Sequence, residues 1–103
     1  MRNYRDKFDI IADILNITKR NPKKTQIMYQ ANLSYKVLKK YLAEIMTSSL
    51  ISYKHKENCY SLTSKGQRFL VLYKEYSKAN NLLRKRAKDA LAKKVSLEKL
   101  CLI

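Results

Sequence analysis

Glycine and proline are nearly missing: the 103 residues include one of each, Gly66 and Pro22. Sandwiches and barrels need many tight turns, and linker or collagen-like chains need many of both residues, so these classes are excluded. Tryptophan is absent and His55 is the only histidine. Cys59 and Cys101 lie far apart without ligand spacing, so no metal or other cofactor is expected. Two cysteines without other secretory features suggest free thiols and a cytoplasmic protein. No apolar run approaches the ~20 residues that span a bilayer, and the N-terminus is charged. Neither a signal peptide nor a membrane partner is therefore expected. Acidic residues are scarce too. Glu44 and Glu57 have no acidic partner at useful spacing, and there is no Gly-rich phosphate loop or Ser/His/Asp arrangement. These absences point away from an enzyme and from a small-molecule ligand.

What is abundant is positive charge. Twenty-three Lys and Arg face eight Asp and Glu, a formal net charge of +15. A field of that size in one small domain favours polyanions, nucleic acid first among them. Hydrophobic residues make up 46%, enough for a small core in a mostly helical chain.

The apolar spacing predicts the elements in order. Phe8, Ile11 and Leu15, widened by Ile10, Ile14 and Ile17, predict a helix from Tyr4 to Arg20, stopped by Asn21-Pro22. Thr25 is expected to cap a short helix over Gln26–Ala31, with Ile27, Met28 and Ala31 inward. Asn32-Leu33-Ser34 then makes a tight turn with Leu33 as an apolar plug. Ser34 caps the third helix, whose stripe is Leu38, Leu42, Ile45 and Met46, with Tyr41 beside it. The period changes at Leu50–Lys54, a strand that returns as Cys59–Leu62 after a polar tip. Thr63 caps a last helix, expected over Gln67–Ala92. At ~1.5 Å per residue it is too long for so small a body, so its distal half is expected to project. The tail from Val95 to Ile103, with Ser96 as a candidate cap, either continues the helix or turns back.

Three helices, a hairpin and a long helix make a mainly α fold with a small β-hairpin. This is the winged helix-turn-helix order, with the third helix entering the major groove and the hairpin as the wing. Residues 1–66 are read as the winged domain and 67–103 as a dimerisation helix. On the third helix, Tyr35, Lys36, Lys39 and Lys40 are candidate DNA contacts. Gln30 and Asn32 lie nearby, Lys23 and Lys24 precede the second helix, and Lys54, His55 and Lys56 form the wing tip. The groove-facing side lacks Arg and Asn, so it is better suited to holding DNA than to reading it. On the last helix, Phe69, Tyr73, Tyr76, Asn80, Leu83, Ala87 and Ala90 step by four and three like a coiled-coil seam, with Leu91 adjoining. The cluster Arg84-Lys85-Arg86 with Lys88 is either a solvated face or a further DNA contact.

Asp9–Leu15, Lys24–Tyr35 and Tyr60–Gly66 resemble the small basic archaeal winged-helix proteins of the Sulfolobus ten-kilodalton nucleoid class. The run Lys24-Thr25-Gln26-Ile27-Met28-Tyr29-Gln30-Ala31-Asn32-Leu33-Ser34 carries most of that likeness. The resemblance implies a homodimer joined by an antiparallel coiled coil of the last helices. It further implies binding of double-stranded DNA and a chromatin-associated, nucleoid location. Where related sequences tend to carry Gly before the first strand, this chain has Thr47-Ser48-Ser49. The resulting expectation is an architectural DNA-binding protein of low sequence specificity. A site-specific transcription regulator and a coiled-coil protein-interaction module are the alternatives.

Overall fold

A computed structural model describes residues 5–101. The elements are α1 (Lys7–Thr18), α2 (Lys24–Gln30), α3 (Tyr35–Thr47), β1 (Ile51–Lys54), β2 (Cys59–Leu62) and α4 (Ser64–Cys101). Tyr4, the expected start of the first helix, lies outside the described residues, as do Leu102 and Ile103. The chain divides into two compact units, 1–73 and 74–103.

The first helix opens on a reciprocal cap. Asp6 Oδ1 accepts from the Asp9 amide at 2.8 Å, and Asp9 Oδ2 accepts from the Asp6 amide at 2.9 Å. Both orphan donors are satisfied, as in a Ser-x-x-Glu box, with aspartate at each end. The helix stops at Thr18, short of the expected Arg20, so Lys19 and Arg20 lie beyond its last turn. Thr25 does not cap α2. The helix begins two residues earlier, at Lys24, where Gln26 Oε1 accepts from the Lys23 amide at 2.8 Å. The longer Gln side chain reaches back to the cap amide, which leaves Thr25 inside the helix.

With one glycine available, other residues take the left-handed turns. Asn21, Asn32, Ser49 and Asn58 have φ of 51°, 54°, 61° and 54°. Two of them end helices. After α2, the Asn32 amide donates to the Tyr29 carbonyl at 3.2 Å and the Leu33 amide to that of Met28 at 3.1 Å. After α3, Ser49 donates to Met46 at 3.0 Å and Leu50 to Ile45 at 3.1 Å. Both are Schellman closures, which require a left-handed residue past the helix end. Asparagine tolerates that conformation better than other residues with a Cβ. Ser49 lies in the Thr47-Ser48-Ser49 loop where the resemblance leads one to expect glycine.

Ile11, Ile14 and Leu15 of α1, Ile27 and Ala31 of the α2 end, and Leu38, Leu42 and Ile45 of α3 form one core with Leu50 and Ile51. Leu33, Tyr41, Tyr60, Leu62, Phe69 and Leu70 pack around it. Two expected core members do not reach it: Phe8 is 45% and Met46 37% exposed. Both lie at the rim of their helical stripe, and the Phe8 ring sits 6.5 Å from that of Phe69 instead. The hairpin pairs Ile51 with Leu62 and Lys54 with Cys59 around the tip at 55–58. Strand β1 starts at Ile51 rather than Leu50, whose amide is taken by the Ile45 carbonyl.

The hairpin is fastened at both ends. The Tyr60 amide donates to the Pro22 carbonyl at 2.9 Å, binding β2 to the α1–α2 link. Thr63 Oγ1 accepts the Gly66 amide at 3.0 Å as the cap of α4, and lies 2.7 Å from the Ser49 carbonyl to which it donates. A Cβ at Gly66 would stand 2.2 Å from the Leu50 carbonyl oxygen and 2.5 Å from Leu62 Cδ1. Only glycine lets the helix approach the backbone this closely. The long helix then continues past Ala92 through the tail, the first of the two courses expected for it. It stays helical to Cys101, and Ser96 donates to the Ala92 carbonyl at 3.2 Å instead of capping a new segment. No Gly or Pro interrupts it.

Gly66→Ala should therefore lower stability by about 1–3 kcal/mol, the usual range for forcing volume into a packed contact. Urea unfolding followed by circular dichroism measures this. An unchanged midpoint would mean that the helix start can shift without loss.

Candidate nucleic-acid interface

The packing of α3 decides what the helix presents. Ser34 Oγ accepts the Val37 amide at 3.3 Å and starts the helix where the turn ends. With Leu38, Leu42 and Ile45 buried, Tyr35, Lys36, Lys39 and Lys40 are all exposed, Tyr35 by 56%. The only acid on α3, Glu44, lies in its C-terminal half and pairs with Lys7 at 2.5 Å. The hydrogen bond and charge of Glu44 hold the Lys7 ammonium protonated above its ordinary range. The N-terminal half of α3 therefore carries no acid.

The fold brings the start of α2 onto this surface. Lys24 Nζ donates to Tyr35 Oη at 3.2 Å and lies 4.5 Å from the centre of its ring. That hydrogen bond, then the Lys24 charge and the Lys39 charge, lowers the Tyr35 hydroxyl below its ordinary range. The ammonium occupies a lone pair of the phenol oxygen, which leaves the phenol proton free for another acceptor. An ammonium and a phenol side by side can both donate to one phosphate oxygen.

Lys24 also acts on Tyr60. Burial raises the Tyr60 hydroxyl, and Lys24 opposes that rise. The Tyr60 ring lies 4.9 Å from Tyr53, whose other neighbour is His55, edge-on at 4.9 Å. The Tyr53 hydroxyl bonds the Asn58 side-chain oxygen across the tip. Lys24 thus touches α3 directly and acts on the wing through its charge. His55 has a packing role there. Lys54 and Lys56 are exposed, and Lys54 is 4.0 Å from Glu57, the acid at the tip.

The other candidates fall less neatly. Lys23 and Gln30 are exposed. Asn32 is also exposed, but its left-handed backbone already accounts for an asparagine there. Two residues escaped the sequence reading. Arg5 donates to the Ala31 carbonyl at 2.7 Å and to Asn32's at 3.3 Å, and pairs with Asp13 at 3.1 Å. It closes the turn from outside, a role no local pattern signals. Tyr29 is 78% exposed, one position away from the inward stripe of α2.

Of the expected seam residues, Tyr73 lies in the first unit, where its hydroxyl bonds the buried Asp9 and its ring stacks on Phe69. Tyr76, Leu83 and Leu91 are 42%, 64% and 61% exposed, and Ala87 and Ala90 are also exposed. Asn80 is half-buried. Among the described residues, no helix is long and apolar enough to cross a membrane, and no cluster of His, Cys, Asp or Glu fits a metal.

Compared with known proteins, residues 4–81 match the winged helix-turn-helix family. An uncharacterised protein of Methanocaldococcus jannaschii is 38% identical over 72 residues, which are 69% of this chain and 33% of that protein. The chain thus spans about a third of that relative's length. A second uncharacterised protein of the same organism is 34% identical over 82 residues, covering 78% of this chain and 82% of its own. The fold is similar to that of Sso10a-2, a DNA-binding protein from Sulfolobus solfataricus. The TM-score is 0.74 and the identity 25%, over 86% of this chain and 95% of that one.

The Lys24–Tyr35 contact has a direct spectroscopic consequence. The Tyr35 phenol should ionise below 10.0, because a neighbouring ammonium favours phenolate, and Lys24→Ala should move it back upward. Assigned ring resonances followed through a pH titration measure this. An unmoved Tyr35 in the variant would remove Lys24 from the contact.

Proposed function

The chain belongs to the winged helix-turn-helix family, and on that footing we propose that it is a dimeric double-stranded DNA-binding protein. In this reading α3 enters the major groove and the wing contacts the adjacent backbone. The observation that carries it is the acid-free surface joining Tyr35, Lys36, Lys39 and Lys40 to Lys24. The DNA-binding Sso10a-2, similar over most of both chains, supports it.

Low sequence specificity follows from the side chains on that surface. Lysine offers a point charge to phosphate, whereas base reading favours the fork of Arg or the amide of Asn and Gln. An architectural, nucleoid-associated role in the cytoplasm fits better than a regulator with one operator. Competition between selected and bulk DNA separates these roles. A preference on the order of 10³ or more for one site would favour the regulator.

The dimer is formed through α4. Tyr76, Leu83, Ala90 and Leu97 repeat every seven residues, and an exposed helix with such a stripe gains by pairing with a second copy. The likeness to the nucleoid class points to an antiparallel pair. Leu83→Glu places a charge in that stripe and should yield a monomer in sedimentation at micromolar concentration. A monomeric wild type would defeat the dimer.

Lys39→Ala with Lys40→Ala should weaken binding to all duplexes alike. If each wild-type domain neutralises ~6 phosphates, its log–log salt slope should be about −5 per domain. A slope near zero would exclude an electrostatic interface. Unchanged affinity in the double variant would remove α3 from it.

A further inference from the structure

The second unit carries its own charge pattern. Residues 74–103 hold nine Lys or Arg and three acids. All the basic side chains among them are exposed. An ordinary solvated helix face alternates charge signs, so that neighbours three and four apart attract. Here each acid has a basic neighbour three or four residues away, and in addition four lysines share a line that holds no acid.

At about 100° per residue, Lys74, Lys85, Lys88 and Lys99 fall within roughly 30° of one line along α4. The residues between them on that line are Asn81 and Ala92. Arg84 and Asp89 flank it about 70° to either side, and Glu75 and Glu98 lie about 110° away. The line of Leu72, Tyr76, Leu83, Ala90 and Leu97 is nearly opposite. A partner helix on the apolar side therefore leaves the lysine side open to solvent. From Lys74 to Lys99 the lysine line is about 37 Å long, close to the ~34–36 Å of one duplex turn.

We propose that this lysine face of α4 is a second duplex-DNA contact, made to phosphates and separate from the winged unit. Charge complementarity identifies the occupant: a line of ammonium groups with no acid on it, as long as one turn of a polyanion. Phosphate contacts of this kind add affinity without sequence reading. The proposal rests on the duplex-binding reading above and adds a second surface to it.

The test uses the full chain and a random duplex of about 30 base pairs. Lys85→Gln, Lys88→Gln and Lys99→Gln together keep helix-forming side chains while removing three charges from the face. A charge-matched control, Arg86→Gln with Lys93→Gln and Lys94→Gln, removes as many elsewhere on α4. Thermal melting and sedimentation of both triple variants verify fold and assembly. The face variant should lose about 3 from the magnitude of the salt slope per chain, and the control much less. Equal slopes for wild type and face variant, or equal losses in both triples, would overturn the proposal. If Lys39→Ala with Lys40→Ala still lowers affinity in that case, the winged-domain reading stands and only the second contact falls. A wild type that binds no duplex would remove both. Loss of binding to anionic vesicles without any change on duplex DNA would assign the face to a membrane surface and overturn it as a DNA contact.

Discussion

The carbonyls at the end of α2 must find donors within three residues, because Ser34 already begins α3. Asn32 in the left-handed conformation meets that demand, turning its own amide and that of Leu33 back onto Tyr29 and Met28. The same bend buries part of Leu33 against the core. Arg5 takes the remaining Ala31 and Asn32 carbonyls and is itself held by Asp13. These contacts set where α3 starts, and with it which of its side chains face solvent. At a period of 3.6, shifting the helix by one residue rotates every side chain by about 100° and would carry Tyr35, Lys36, Lys39 and Lys40 together away from Lys24. The candidate interface is thus a consequence of how one short helix ends.

Placement of the few acids matters as much as the number of lysines. In the first unit, Asp6 and Asp9 cap α1, Asp13 holds Arg5, Glu44 holds Lys7 and Glu57 sits beside Lys54. Four of the five secure α1 or its contacts. The positive field therefore stays undiluted over the first turns of α3 and the start of α2. In the second unit the three acids lie off the lysine line of α4. Where the acids sit relative to these lysines is something the net charge of +15 alone does not reveal.

Much of this was legible in the residues. The stripe of α3, its Ser34 cap, the hairpin and the Thr63 cap all follow from local periodicity and turn chemistry, and the order of elements identifies the fold class. What was not legible depends on contacts distant in sequence. Thr25 is a good cap by type, but Gln26 reached the cap amide first. Phe8 and Met46 fit a helical stripe but lie at its rim, where burial depends on what packs beyond. Whether the tail after Ala92 continued the last helix or turned back was open in the sequence, and with no Gly or Pro to stop it the helix runs on to Cys101. Arg5 and the Lys24–Tyr35 pair join residues on different elements, so no window of sequence contains them. Ser49 shows the converse: a loop where glycine is expected keeps its left-handed geometry without one.

The central claim is that the Asn32 turn aims the lysine side of α3 at a duplex. Amide-resolved magnetic resonance of the full chain, titrated with a short random duplex, tests it directly. The account predicts the largest shifts at Lys24, Tyr35, Lys36, Lys39 and Lys40, with smaller ones at Lys54 and Lys56, while Ile14 and Leu42 stay unmoved. Saturable binding that leaves Tyr35 to Lys40 unshifted would contradict it.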